Sequence, residues 1–224
     1  MQKIIFRLYK IYHFIFNEKI YRKLNFFWDD LPSRSILIQK VIEHKKFDSY
    51  LEIGCANNEN FDKIKIKKKT GVDPNSGGNV KMTSDAFFSK NKLLFDIIFI
   101  DGLHTYKQVK KDINNSLQFL KEGGVIFVHD CLPRSIFEQA VPRCQFRWTG
   151  DVWRAFIEIR TIENLDSCVC YADMGLGIII KRKNSNQLKT NFKNFSKIKF
   201  KDYFFNYQKY LNIITHKEII KFIK

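Results

Sequence analysis

The sequence lacks an apolar run long enough to cross a membrane. The N-terminal stretch is rich in apolar and aromatic residues, but Lys3, Arg7 and Lys10 interrupt it, and Glu18 and Lys19 follow. A membrane-spanning helix needs about 20 consecutive, predominantly apolar residues. We therefore expect neither a transmembrane helix nor a signal peptide, and we expect a cytoplasmic protein.

Cysteine is also scarce, and its number, five, is odd. Cys55, Cys168 and Cys170 lie in or beside apolar segments typical of strands, which favours buried, reduced thiols in the cytoplasm. The alternative is a zinc site built from Cys131, Cys144 and the pair at 168 and 170. Its spacing matches no standard ligand pattern.

Glycine is missing where a dinucleotide-binding chain needs it. The first strand–helix turn of such a chain reads G-x-G-x-x-G, whereas residues 54–60 read GCANNEN and contain one glycine. The segment still has the order strand, turn, short helix at 60–64, strand and acid, with Asp73 placed 21 positions after Glu52. This order is typical of a nucleotide-binding unit whose carboxylate binds the ribose hydroxyls, and its ligand has no pyrophosphate.

The length of 224 residues and the hydrophobic content of 45% predict one domain with additions at both ends. We divide the chain into an N-terminal helical segment (1–45), a Rossmann-like core (46–182) and a basic, aromatic C-terminal helical extension (183–224). Residues 1–28 are expected to form one or two amphipathic helices that cover the sheet or the partner subunit of a homo-oligomer. Contact with a membrane surface is the alternative.

Positive charge is concentrated in the C-terminal extension. The chain has a net charge of +16, and residues 181–224 contain twelve Lys and Arg against Asp202 and Glu218. Three interpretations stay open: a solvated face, an anionic substrate such as a nucleotide sugar or phosphorylated glycan, and a nucleic-acid surface.

Acidic and imidazole side chains follow two apolar segments in the middle of the chain. Residues 95–100 form an apolar run that stops at Asp101, and residues 125–128 form a second run that is soon followed by Asp130. Two parallel strands joined by a helix open at the same edge of a sheet. Asp101, Asp130 and the nearby His104 are therefore expected to lie close together.

Several neighbouring elements are predicted as well. An apolar stripe over 106–120 indicates a helix ended by the glycines at 123–124, and Asp151 is expected to cap a helix over 152–160. Residues 80–82 are expected to form a third strand. Asp85, which follows it, either accepts a hydrogen bond from an adenine amino group or caps the next helix.

These motifs resemble those of class I S-adenosylmethionine-dependent methyltransferases. LEIGCANN, GVDP, TSDAFF, FDIIFIDGLHTY and LKEGGVIFVHDC occur in that family's order and spacing over residues 35–182. The D-G-x-H-x-Y and H-D elements resemble the branch that contains macrocin-type sugar O-methyltransferases and related enzymes of surface-glycan clusters. The resemblance implies an α/β, Rossmann-like fold with a seven-stranded, mainly parallel sheet, helices on both faces and an antiparallel hairpin of residues 168–171 and 175–181.

The resemblance also implies roles for individual residues. Asp101 and Asp130 match positions that hold a divalent ion, usually magnesium, and His104 matches the general base, so these three form the catalytic set. Cys131 stands where catechol-type relatives have an asparagine ligand, which leaves the third ligand open. The implied cofactor-binding residues for S-adenosylmethionine are Glu52, Gly54, Ala56, Asp73, Ser84, Asp85 and Asp101.

The chemistry of methyl transfer fits these residue types. A sulfonium methyl group is already activated, so the enzyme must align it with the acceptor oxygen and remove a proton from a weakly acidic hydroxyl. A metal between two carboxylates lowers the pKa of that hydroxyl, and a histidine accepts the proton. Oxygen ligands favour magnesium over zinc. We expect a metal-assisted O-methyltransferase that acts on a sugar hydroxyl of a small molecule, nucleotide sugar or surface-glycan precursor.

Other interpretations remain. A nucleic-acid amino-methyltransferase is disfavoured, because Asp101 precedes Gly-Leu-His rather than Pro-Pro and an aromatic residue. A methyltransferase for a phosphorylated or RNA ribose acceptor is compatible with the basic extension. A non-catalytic binding module of the same fold is the third alternative, in which Asp101, His104 and Asp130 are only turn and cap residues. Residues 148–153 either contact the acceptor or pack in the core.

Overall fold

A seven-stranded sheet organises residues 2–224, the part of the chain that the computed structural model describes. Its strands lie in the order β2-β1-β3-β4-β6-β5-β7. β1 to β4 pair in parallel, and β6 pairs antiparallel with both β4 and β5, as predicted for the Rossmann-like architecture. The strands are β1 (Ser49–Ile53), β2 (Lys68–Val72), β3 (Phe95–Ile100), β4 (Leu120–Val128), β5 (Asp166–Cys170), β6 (Leu176–Ile180) and β7 (Ile213–Ile214).

Helices cover both faces of this sheet. Across 2–224 the α-helices are α1 (Gln2–Phe16), α2 (Arg34–Lys45), α3 (Ser84–Lys90), α4 (Tyr106–Phe119), α5 (Val152–Ile159), α6 (Phe200–Leu211) and α7 (Ile219–Ile223). One apolar core joins the sheet to α3, α4, α5 and α6, and a second joins the opposite face to α2 and α7. Successive residues of β4 alternate between them, since Ile126 belongs to the first core and Phe127 to the second.

Two predicted details of the sheet region are wrong. Residues 80–82 form no strand, and Val80 makes only an isolated parallel bridge to Val72, so the seventh strand comes from the C-terminal extension instead. The short helix expected at 60–64 is present as one 3₁₀ turn, Phe61–Lys63. Finally, α4 ends at Phe119, because Leu120 already pairs with Phe95 of β3 and draws the backbone into extended geometry before the glycines are reached.

The β5–β6 hairpin and α5 have their predicted places. β5 and β6 are joined by a turn at 171–175, close to the predicted boundaries. Asp151 does precede α5, but its side chain makes no capping bond there. Its Oδ1 instead accepts a hydrogen bond from the backbone N–H of Tyr106 at 2.6 Å, so it satisfies a free N–H at the start of α4.

Residues 2–28 agree with the prediction in part. They contain one helix, α1, but its single buried residue is His13, so α1 does not cover the sheet. The non-helical segment after α1 contributes Ile20 and Phe26 to the core. Met1 lies outside the described residues. Across 2–224, no helix has both the length and the apolar character to span a bilayer.

We expect Phe127→Ala to lower the free energy of unfolding by about 3–5 kcal/mol, because the ring is fully buried in the central strand and its loss leaves a cavity. Urea denaturation followed by circular dichroism measures this change. Phe205→Ala, whose ring is 61% exposed, is the matched control and should change stability by less than about 0.5 kcal/mol. Similar losses in both variants would contradict the placement of β4 at the centre of the core.

Candidate active site

A single cavity of about 800 Å³ lies at the carboxyl ends of β1 to β4. Parallel α/β sheets bind their ligands at this edge, and the volume suits a cofactor or substrate. The structure therefore brings the sequence-predicted residues together, while their chemical roles remain predictions. Its lining includes all of them: Glu52, Gly54, Ala56, Asp73, Ser84, Asp85, Asp101, His104 and Asp130.

The turn after β1 depends on glycine at position 54. Gly54 has φ +88°, and a Cβ there would lie 2.6 Å from the Cα of Gly102. A side chain at this position would therefore push apart the turns that follow β1 and β3. The small residue lets the two turns meet and leaves backbone at the cavity wall, as a closely approaching ligand requires.

Glu52 is a buried carboxylate at the end of β1. Its Oε2 accepts hydrogen bonds from the Tyr50 hydroxyl at 2.5 Å and from Asn60 Nδ2 at 2.9 Å. Burial raises the pKa of Glu52 to about 7, and the two hydrogen bonds only partly oppose this shift. The cavity therefore contains an acid that changes charge near neutral pH.

Asp73 ties together two loops beside the cavity. Its carboxylate accepts backbone N–H bonds from Ala56 at 2.9 Å, Asn75 at 2.8 Å and Ser76 at 3.0 Å. Burial alone would raise the pKa of Asp73, but these three bonds outweigh it and hold the pKa below its usual value. A carboxylate has about four lone-pair positions, so one remains for the predicted ribose contact.

Asp85 does not cap α3. The cap is Thr83, whose Oγ1 accepts from the backbone N–H of Ala86 at 3.2 Å. Asp85 instead pairs with Lys111 Nζ at 2.7 Å and accepts from Gln108 Nε2 at 3.2 Å. These two hydrogen bonds lower the pKa of Asp85, so it is a charged acceptor at the cavity wall. Its contact with adenine stays a prediction.

The His104 imidazole lies between the two predicted metal-binding carboxylates. Its Nε2 is 3.2 Å from Asp101 Oδ1, and its Nδ1 is 2.9 Å from Asp130 Oδ2. Asp130 has φ +64°, a left-handed conformation that is uncommon outside glycine and often occurs at functional sites. The three side chains therefore meet at one rim of the cavity.

Two residues after β4 support the position of His104. Trp148 stacks on its ring, with centroids 5.2 Å apart and an interplanar angle of 15°. Gly150, at φ +60°, passes so close to the His104 carbonyl that a Cβ would collide with it. Trp148 lines the cavity, whereas Trp153 is fully buried, so the predicted 148–153 segment divides between the site and the core.

Three members of this cluster were missed by the sequence analysis. His129 Nδ1 is 3.2 Å from Asp101 Oδ1, and its Nε2 is 2.9 Å from the Asp173 carbonyl oxygen. Asp173 Oδ2 accepts from the backbone N–H of Arg34 at 2.7 Å, which links the β5–β6 turn to the start of α2. The H-D pair gave a signal for His129. No local pattern marks Arg34 or Asp173, which come from opposite ends of the core.

Charge is strongly coupled in this cluster. Burial disfavours a charged His104, but the attraction of Asp130 and the contacts with Asp101 outweigh it and raise its pKa to about 10. Despite its burial, His129 has a pKa well above the usual value because of Asp101 and Asp130. Burial likewise opposes ionisation of Asp101, yet His129 and His104 hold its pKa well below its usual range. Asp101 therefore stays charged, and the two imidazoles supply compensating positive charge.

The donor set fits a divalent cation. Asp101, His104 and Asp130 each offer a ligand atom, and these atoms lie within 4.8 Å of one another. Asp130 Oδ1 is buried and has no hydrogen-bond partner, so it has an acceptor position to offer. A His104 ring nitrogen lies close enough to the two carboxylates to contact the same cation.

Cysteine contributes nothing to this donor set. Burial raises the pKa of the Cys131 thiol, and Cys131 Sγ lies 3.5 Å from the Val128 carbonyl oxygen. The five cysteines are free and buried, and the one group of possible metal ligands found across 2–224 contains none of them. The zinc alternative therefore has no support in the described part of the chain.

Residues 42–131, which span β1 to the end of β4, match the family model described as a methyltransferase domain. This match identifies a methyltransferase domain in that part of the chain. No curated protein sequence matches the chain.

Solved structures share the fold of this chain. A Staphylococcus aureus protein assigned as a caffeoyl-CoA O-methyltransferase has a TM-score of 0.52 and 16% identity, over 80% of this chain and 99% of that one. Cofactor-bound Rv0187 from MTB has a TM-score of 0.51 and 13% identity, over 70% of this chain and 84% of that one. At these identities the likeness is one of fold.

Ionisation of the buried Glu52 is expected to destabilise the folded protein as the pH rises towards neutral, and we expect Glu52→Gln to remove this loss. The pKa of Glu52 is raised from 4.5 to about 7, so the folded protein holds this proton more tightly than the unfolded chain does. Its contribution to stability is full below pH 4.5 and is lost as the pH rises through about 7. Relative to the unsubstituted protein, the free energy of unfolding of the variant should rise by roughly 2–3 kcal/mol between pH 5 and pH 8.

Urea titrations at several pH values measure this difference. Glu122→Gln, which removes an exposed carboxylate, is the control and should leave the pH profile unchanged. Parallel profiles for the unsubstituted protein and its Glu52→Gln variant would show that Glu52 does not titrate in this range.

Proposed function

We propose that the protein is an S-adenosylmethionine-dependent O-methyltransferase that acts on a sugar hydroxyl of an anionic small molecule, nucleotide sugar or surface-glycan precursor. One observation carries this proposal: His104 lies between Asp101 and Asp130 in the same cavity that reaches the Gly54 turn. The proposed proton acceptor and the proposed site for the methyl donor then lie in the same cavity. Buried free thiols support a cytoplasmic location.

The methyl donor, S-adenosylmethionine, is proposed to lie along the β1 and β2 side of the cavity. There the Gly54 turn exposes backbone, Glu52 offers a carboxyl group, and Asp73 retains one acceptor position. Asp85 and Ser84 line the far part of the same cavity, at the start of α3, where the adenine would lie. A sulfonium donor needs alignment more than activation, and rigid strand ends provide it.

The acceptor is proposed to lie on the His104 and Trp148 side. The indole offers a flat apolar surface of the kind that sugar rings stack on, and it is stacked on the proposed base. Arg143 and Arg147 line the cavity beside it, and guanidinium groups suit phosphate or carboxylate. An anionic sugar derivative therefore fits this wall better than a neutral one.

His104 is proposed to accept the hydroxyl proton of the acceptor once a cation held by Asp101 and Asp130 has replaced the proton that these two carboxylates otherwise keep on the imidazole. Its two ring nitrogens face Asp101 and Asp130, which fix the orientation of the ring. A magnesium ion held by Asp101 and Asp130 would lower the pKa of the acceptor hydroxyl and neutralise the two carboxylates. His129 and Arg34 hold Asp101 in place from the other side.

Calorimetry with S-adenosylmethionine and an assay for S-adenosylhomocysteine test the function directly. We expect binding of the donor, and magnesium-dependent product formation with a nucleotide sugar or glycan acceptor. A protein that does not bind the donor would instead be a binding module of this fold. Donor binding combined with salt-sensitive methylation of RNA would favour the ribose alternative.

We expect His104→Ala to bind the methyl donor normally and to lose about 10²–10⁴-fold in turnover, because removal of a positioned base has effects of this size. Calorimetry and turnover measured on the same preparation separate the two properties. His44→Ala, at an exposed position of α2, is the matched control. Unchanged turnover in His104→Ala would remove this residue from the base role.

We expect Asp130→Asn to lose its response to magnesium, because a neutral amide replaces a carboxylate ligand. Asparagine tolerates the positive φ of this position, so the backbone should keep its path. Titration calorimetry with magnesium alone and rates over a magnesium series both report the effect. Asp62→Asn, at an exposed site, is the control. An undiminished response in Asp130→Asn would exclude it as a ligand.

A further inference from the structure

We propose that α1 docks the protein on the surface of an anionic lipid bilayer. The exposed apolar face of this helix would lie in the headgroup region, and its cationic edge would contact anionic lipid headgroups. The acceptor would then be a membrane-borne, anionic glycolipid, a conclusion that rests on the proposed function. The docking itself does not depend on it.

An unusually large apolar face of α1 is exposed. Monomeric soluble proteins rarely expose a contiguous apolar patch larger than a few hundred Å². The helix buries only His13, and Phe6 is half-buried. Nine of its apolar and aromatic residues are 39% exposed or more: Ile4, Ile5, Leu8, Tyr9, Ile11, Tyr12, Phe14, Ile15 and Phe16.

The spacing of these residues gives α1 two distinct exposed surfaces. Ile4, Leu8, Ile11 and Ile15 recur at three and four positions, so they share one face of the helix. The cations Lys3, Arg7 and Lys10 lie along the neighbouring edge, and α1 contains no acid. A helix that lies in a membrane interface has this combination of an apolar face and a Lys/Arg-rich polar face.

Charge favours a lipid surface over a second copy of this chain. Residues 2–28 contain six Lys and Arg, and the one acid among them is Glu18. Its carboxylate already accepts from the backbone N–H groups of Phe200 at 2.6 Å and Lys201 at 2.9 Å. In a twofold contact through this segment, cations would face cations without acidic partners. Anionic headgroups provide the missing negative charge.

The opposite edge of α1 contacts the acceptor wall of the cavity. His13 Nε2 is 2.7 Å from the Pro142 carbonyl oxygen, and Phe6 packs edge-on against Phe146 at 5.3 Å. The Arg143 guanidinium lies 5.5 Å from the Phe6 ring centroid and 5.6 Å from that of Trp148. A bilayer on the outer face of α1 would therefore lie beside the loop that carries Trp148.

This position selects a class of acceptor. A molecule with hydrocarbon in the bilayer and an anionic sugar head could place that head against Trp148 and Arg143 without leaving the membrane. Docking would also confine enzyme and acceptor to one surface and raise their local concentration. A lipid-linked glycan precursor meets both requirements.

Sedimentation of the full chain with vesicles tests the docking. We expect binding to vesicles that contain phosphatidylglycerol in phosphatidylcholine, and about 100-fold weaker binding to phosphatidylcholine alone, since three cations contribute to the difference. Rising salt should weaken the binding to the anionic vesicles. Equal binding to both vesicle types, or none to either, would overturn the proposal.

Two matched double variants locate the contact. Ile4→Glu with Leu8→Glu replaces residues that are 66% and 61% exposed, and should weaken vesicle binding at least about tenfold. Leu93→Glu with Leu94→Glu makes the same charge change at residues 62% and 53% exposed before β3, and should bind the anionic vesicles almost as the parent does. Equal losses in both variants would overturn the role of α1.

Two further measurements separate the possible failures. A dimer that dissociates in the α1 variant, together with no binding to vesicles, would show that a second copy covers this face and would overturn the proposal. Both variants should bind S-adenosylmethionine as the parent does, because α1 lies outside the core. Vesicle binding without donor binding would keep the docking and reject the proposed function.

Discussion

The parallel pairing of β3 with β4 positions the rest of the site. Ile100 lies opposite Val128 at the end of this pairing, and the backbone N–H of His129 donates to the Ile100 carbonyl oxygen at 3.0 Å. Asp101 and Asp130 follow directly, so two carboxylates meet at one buried rim. Like charges this close repel, and the fold must compensate them.

Positive groups from three separate parts of the chain provide that compensation. His104 lies between the carboxylates, His129 contacts Asp101 from within the sheet edge, and Arg34 approaches from α2, with its Nε 3.9 Å from Asp101 Oδ2. Asp173 binds both His129 and Arg34, and these contacts lower its pKa to about 2. The cluster thus joins α2, the central strands and the β5–β6 hairpin, so electrostatics and topology support each other.

The cavity has two chemically different sides. Towards β1 and β2, glycine, backbone amides and carboxyl groups form a wall suited to a nucleoside with many hydrogen-bonding groups. Towards the 129–151 loop, an indole and two guanidinium groups form a wall suited to an anionic sugar. α1 contacts this second wall through His13 and Phe6, and among the described residues it makes no such contact with the first.

Local sequence patterns predicted much of this arrangement. The apolar runs that end at Asp101 and near Asp130 are typical of strands buried on both faces, and the apolar stripe over 106–120 follows the 3.6-residue period of a helix. The parallel-sheet rule then predicted that Asp101, His104 and Asp130 would meet, and the coordinates bring them together. Their roles in catalysis stay predictions, as do those of the cofactor-binding residues.

Contacts between distant segments could not be predicted in this way. Residues 80–82 form only the isolated bridge to β2, and α4 ends where Leu120 pairs with β3. The carboxylate of Asp151 accepts a hydrogen bond from the start of α4 rather than from its own helix. Arg34 and Asp173 join the site through a contact across 139 positions.

The sequence by itself therefore determined the order of the elements and which side chains reach the sheet edge, because those follow from periodicity. Only the tertiary structure decided which charges compensate one another and which face of α1 is exposed, because both depend on segments that meet only after folding.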